Sequence, residues 1–163
     1  MVELPNGVTV ESGVVNHPGC TLGYRLTVNG TVLTYTIDNE PFGDAVASQH
    51  LAQPSHHVAL ARDADLLIQD AQYTPEEYHA HRVGWGHSTY LDALQIAQQA
   101  HAKRLVLFHH DPSHTDAEVD RIVAQCRAEI AQRGLTLECL GAAEGHVLEP
   151  FRIHQTTTVE WVI

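Results

Sequence analysis

Apolar and polar positions change rhythm along this chain, and each change marks an element. Residues 8–11 alternate, and residues 21–28 and 31–37 are rich in β-branched and aromatic side chains, so the first forty residues read as strands. Asn29-Gly30 sits between the last two runs. Both residues tolerate the positive φ of a tight turn, which makes the pair a strong hairpin signal. A loop with acids and a proline follows from Asp38 to about Gly43. Residues 50–64 keep no single period, although Pro54-Ser55 can open a helix through Val58, Ala59 and Leu60.

Beyond that point, strand and helix patterns alternate. Residues 65–70 form a short apolar run ending in an acid, the pattern of a strand buried on both faces. Thr74 and Pro75 suit the N-cap and first position of a helix. A second helix starts at Ser88 or Thr89, carries an apolar stripe of Leu91, Leu94, Ile96 and Ala97, and ends near His101. Residues 104–108 read as another buried strand. Thr115 and Glu118 form a capping box for a helix reaching about Arg133, with Gly134 just past its end. Residues 135–140 read as a strand. A hairpin followed by strand, helix, helix, strand, helix, strand predicts an α/β fold with a largely parallel section. The expected division is one unit over 1–150 and a tail over 151–163, whose alternation suits a last strand or a loosely attached end.

Composition bounds the function. With 163 residues, 44% of them hydrophobic, the chain can bury one domain core. Twenty acids against nine Lys and Arg leave a net charge of -11, which argues against non-specific binding to nucleic acid or to a membrane surface. A nucleotide substrate stays compatible, because bound divalent metals supply positive charge locally. The three cysteines, Cys20, Cys126 and Cys139, form no CxxC pair and read as reduced, partly buried side chains. No run is long and apolar enough to span a bilayer, and residues 1–7 lack the pattern of a signal peptide, so the cytoplasm is the default expectation. The anomaly is histidine, thirteen in all, the commonest metal ligand.

Position gives that anomaly meaning. In open α/β sheets, ligands gather outside the carboxyl ends of the strands. Here one predicted strand ends at Asp38, another at Asp70, and a third at His109, His110 and Asp111. His17 and His87 sit in turns, Asn16-His17-Pro18-Gly19 and Gly84-Trp85-Gly86-His87. Each alone has a plain reading as a turn former or a residue beside a helix cap. Together they make a set of metal-competent groups at strand ends. His50, His56, His57, His79, His81, His101, His114, His146 and His154 lack that context and read as mostly surface.

These residues also carry a resemblance. Asn16-His17-Pro18-Gly19-Cys20-Thr21-Leu22-Gly23-Tyr24-Arg25, followed by Leu33-Thr34-Tyr35-Thr36-Ile37-Asp38, resembles the third and fourth metal-binding motifs of metallo-β-lactamase-fold hydrolases, in the form of their tRNase Z-like and cyclic-phosphodiesterase-like branches. The segment from Ala64 to Ala71, Gly86-His87-Ser88-Thr89, and Arg104-Leu105-Val106-Leu107-Phe108-His109 resemble the later motifs of the same family, in order. Gln69-Asp70 departs from the family's His-Glu, and Asp for Glu shortens the reach of a proton relay. The resemblance implies the C-terminal half of an αββα sandwich, with a mixed sheet flanked by helices. It implies His17, Asp38 and His109 as metal ligands, with Asp38 bridging two ions, and Asp70 with His87 as a catalytic carboxylate-histidine pair. It further implies two divalent metals, zinc first with manganese or iron as alternatives, acting on a small-molecule or nucleotide phosphodiester.

The family's His-x-His-x-Asp-His signature occurs nowhere in the chain. The expectation is therefore a truncated or split frame, inactive alone, with a sheet face left in water. Such a chain would self-associate or take up a complementary N-terminal half. The rival expectation is a catalytically inactive, partner-binding subunit.

Overall fold

The computed structural model describes residues 1–41, 54–148 and 161–162. β2 (Val8–Val15), β3 (Thr21–Val28) and β4 (Thr31–Thr36) form an antiparallel meander, and β1 (Val2–Leu4) pairs with β2 at its edge. Asn29 and Gly30 take φ values of 50° and 79°, the double left-handed turn that matches strand twist. β2 runs four residues past the alternating stretch seen in sequence, because Ser12 and Gly13 interrupt the apolar pattern without breaking the pairing.

From β4 onward the sheet is parallel. α1 (Pro54–Ala61) leads to β5 (Leu66–Asp70); α2 (Pro75–His81) and α3 (Tyr90–Gln99) lead to β6 (Arg104–Phe108); α4 (Asp116–Gln132) leads to β7 (Glu138–Gly141). The seven strands lie side by side in chain order. Thr74, Thr89 and Thr115 each complete a capping box. β7 begins three residues later than its apolar run, because Leu135 donates its N–H to Ile130 O and, with Leu137, packs against the core before the strand starts. Among the tail residues only β9 (Trp161–Val162) is described; it pairs with β8 (Val147–Leu148) in a separate ribbon. Residues 50–53 of the ambiguous stretch lie outside the described residues.

The two sheet faces differ. On one, Val32, Leu67, Leu105, Leu107 and Cys139 pack under the helices, with Ala93, Leu94 and Ile96 of α3 and Ile122 and Cys126 of α4. On the other, Leu33, Leu66, Ile68 and Val106 form a second cluster, ringed by Leu26, Tyr35, Phe108, Leu140, Ala142 and Leu148. The central four are buried, so the expected bare sheet face is corrected for the parallel strands. It holds only toward the meander, where Val2, Leu4, Leu22 and Tyr24 are exposed. Pairing of Val2 with Val10, Val10 with Leu26 and Tyr24 with Tyr35 puts these side chains on the same face as the second cluster. No helix among the described residues is long and apolar enough to cross a membrane. Cys126 and Cys139 are buried free thiols, whereas Cys20 is exposed.

Candidate metal and proton-transfer site

Three neighbouring parallel strands end side by side. Asp38 lies just past β4, Asp70 closes β5, and His109 follows β6 directly. Asp38 and His109 adopt left-handed backbone, φ 49° and 62°. Residues with a Cβ are uncommon in that region, and such conformations gather where the surroundings over-determine a functional position. His87 arrives from the turn between α2 and α3. Its Nδ1 lies 2.8 Å from Asp70 Oδ2 and 4.0 Å from Asp38 Oδ1. His109 Nε2 lies 3.3 Å from Asp38 Oδ1, and its ring stacks on that of His87 with centroids 4.9 Å apart. Asp38, Asp70, His87 and His109 each offer a ligand atom, and all four atoms lie within 4.8 Å of one another.

Asp70 is the anchor. Its carboxylate is fully buried and accepts from Ser88 N (3.1 Å) and Gln72 N (3.3 Å) besides the His87 contact. Ser88 Oγ donates to the Asp70 carbonyl at 2.6 Å. A buried carboxylate needs donors to this extent, since an uncompensated one is costly. For His87, burial works against the charged ring and is the largest single influence. The Asp70 hydrogen bond and the charges of Asp70, Asp38 and Glu40 outweigh it, so the imidazolium is favoured and the pKa stands above the usual histidine value.

His17 is brought near but not into the group. Its ring lies edge-on to His87 with centroids 5.4 Å apart, and its Nδ1 accepts from Gly19 N at 3.3 Å and lies 3.3 Å from Thr21 Oγ1. The close approach needs Gly86: at φ +93°, a Cβ there would stand 2.3 Å from His17 Cδ2.

Sequence reading missed Glu40, which looked like one more loop acid. It is buried, and its carboxylate accepts from Tyr78 Oη, Gly84 N and Gly86 N, the latter two at 2.8 Å. Its backbone is clamped too, with N donating to Asn16 O and O accepting from Asn16 Nδ2. Glu40 therefore ties the turn that carries His87 to the end of β4. The only signal in the sequence was an acid two residues past a candidate ligand. The surface reading of the remaining histidines is corrected at two positions. His57 is 2% exposed on α1, and the His114 side chain is largely covered and pairs with Glu77 at 2.9 Å. His50 and His154 lie outside the described residues. A cavity of about 930 Å3 opens between α4 and β7, lined by His110, Arg127, Leu140 and His146 among others, but none of the four grouped residues lines it.

A family model described as a beta-lactamase superfamily domain matches residues 2–110, and the chain belongs to that superfamily. Among curated relatives, Ribonuclease BN of Cronobacter sakazakii is 36% identical over 86 residues, covering 49% of this chain and 28% of the relative. Ribonuclease Z of Myxococcus xanthus is 34% identical over 87 residues, 50% of this chain and 28% of the relative. The metallo-beta-lactamase fold protein YhfI from Bacillus subtilis superposes with a TM-score of 0.60 at 21% identity, over 87% of this chain and 50% of that one. The short form of human tRNase Z gives 0.57 at 21% identity, over 89% and 44%. These two structures bear on the fold alone. The chain thus spans under a third of the curated relatives it matches.

Proposed function

We propose that this chain supplies the C-terminal part of a metal-dependent phosphodiester hydrolase, with nucleic acid or a nucleotide as the substrate class. The observation that carries the reading is the convergence of Asp38, Asp70, His87 and His109 at the carboxyl ends of three adjacent parallel strands. Carboxylate and imidazole donors of this kind suit zinc, with manganese or iron as alternatives. Asp38 and His109, with His17 close by, are the residues that would hold metal, and Asp38 has the two oxygens a bridging ligand needs. A bound divalent metal supplies Lewis acidity toward a phosphoryl oxygen and an activated water at neutral pH.

The chain's own part lies in the Asp70–His87 pair. With Nδ1 donating to Asp70, the ring is oriented and its charged form stabilised, which suits proton donation to a leaving oxygen. Glu40 holds the turn that presents this ring. The names of the relatives suggest an RNA substrate, and the acidic balance of the chain still speaks against binding that rests on phosphate attraction alone.

Alone and metal-loaded, the chain is expected to leave bis(p-nitrophenyl) phosphate intact. Paired with a chain carrying a His-x-His-x-Asp-His segment, it should turn the ester over. If the Asp38→Ala pair is as fast as the unaltered pair, the proposal fails. The rival reading, an inactive partner-binding subunit, draws on the exposed apolar stretch of Val2, Leu4, Leu22 and Tyr24. It predicts a stable complex with a partner and no turnover in any pairing.

A further inference from the structure

We infer that the turn between α2 and α3 carries a stacking platform for a nucleobase, with the Trp85 indole as its surface and Arg82 as its cationic support. This rests on the phosphodiester reading and assigns the part of the substrate beside the reacting group. Trp85 stands two residues before His87, yet the residue is 54% exposed. A ring of that size, more than half in water, thus stands on the turn that carries His87 of the candidate centre. One side of it is occupied: the Arg82 guanidinium sits 4.4 Å from the ring centroid. That contact is in the range of a cation–π pair and stiffens the indole in place.

The platform is tied to the site on two sides. Arg82 also approaches the Tyr73 ring, 5.7 Å from its centroid, and the His87 ring lies edge-on to the same Tyr73 ring at 6.2 Å. Trp85 N donates to Arg82 O at 3.1 Å, closing the turn. Gly84 and Gly86, which flank Trp85, both donate to the buried Glu40 carboxylate. The indole is therefore carried on a pinned backbone two residues from His87. Stacking on a fixed aromatic ring is how proteins hold bases without reading sequence, because every base has a π-face. In so acidic a chain, a guanidinium beside that ring also marks where a neighbouring phosphate is tolerated. The plain alternative is that Arg82 and Trp85 stack only to stiffen the turn. In that case the indole ignores nucleotides.

Trp161 is the only other tryptophan, so Trp161→Phe in the full chain makes Trp85 the sole indole emitter. The titration is run in chelator, so neither metal nor turnover enters the signal. Adenosine monophosphate should quench the indole saturably, and ribose 5-phosphate at matched ionic strength should bind at least about tenfold more weakly. Equilibrium dialysis adds a second readout: Trp85→Phe keeps nucleotide binding, and Trp85→Ala loses about tenfold. Tighter binding of a dinucleotide than of the monophosphate assigns the platform to a nucleic-acid strand, and equal binding assigns it to a free nucleotide. Equal effects of the monophosphate and ribose 5-phosphate, or no quenching by either, overturn the platform and leave the hydrolase proposal standing. Quenching without turnover in any reconstituted pair removes the hydrolase proposal instead.

Discussion

The antiparallel meander and the parallel strands share one sheet but do different work. Strands β4 to β7 are covered on both faces at their centre, and every residue of the grouped site sits at their carboxyl ends or on the turn docked there. Strands β2 and β3 pack under α1 on the helix side, and β1 to β3 expose Val2, Leu4, Leu22 and Tyr24 on the other. Parallel strands need crossover helices, and their aligned ends create a site edge. A meander needs only turns, so nothing in its own connectivity covers its second face. The site belongs to the first region, and the exposed apolar surface belongs to the second.

Paired truncations test this contrast with the largest expected effect. Leu105 is fully buried on β6, whereas Leu22 on β3 is 40% exposed. Leu105→Ala should cost about 3 kcal/mol in urea denaturation, and Leu22→Ala about 0.5 kcal/mol or less. Similar losses at the two positions would mean that the meander face is covered in solution.

A comparable effect is expected from His57. Burial, with the charge of His56 adding to it, pulls its pKa down to about 4, and among the described residues neither ring nitrogen has a partner. Above the ordinary histidine value of about 6.5 the ring is neutral in both folded and unfolded chains. As pH falls from about 6.5 toward about 4, the unfolded chain takes up a proton that the folded chain refuses. Stability is therefore full above that window and falls by up to ~3 kcal/mol across it. Denaturation midpoints of His57→Leu should lose this share of the acid sensitivity; an unchanged pH profile would show that His57 is solvated.

The smallest effect on the fold itself should come from Leu22→Ser with Tyr24→Ser. The double variant should fold with nearly unchanged stability but weaken self-association or partner uptake in light scattering over a dilution series. Loss of folding instead would put both side chains in the core.

The sequence made the elements legible wherever local chemistry decides them. Asn29-Gly30, the three threonine caps and the apolar runs of β5 and β6 have local causes, and the structure has them in place. The strand-end rule also selected Asp38, Asp70 and His109, whose ligand atoms lie within 4.8 Å of one another. Glu40 and His57 were not legible, because their roles come from burial between distant segments. Glu40 is made by Tyr78, Gly84 and Gly86, about forty residues away, and an acid before a proline carries no trace of that. His17 fell between the two cases: its turn was visible, but its distance from the group depends on Gly86.

The central claim is that Asp38 and its neighbours form one metal site. Calorimetric titration of the chelator-stripped chain with zinc measures it most directly, comparing the unaltered protein with Asp38→Ala. Surface histidines can bind zinc in both, so the difference between the isotherms is what matters. The account predicts a binding step that is present in the unaltered chain, weakens as the pH is lowered because a ligating imidazole must be neutral, and is absent from Asp38→Ala. Identical isotherms for the two proteins would contradict it.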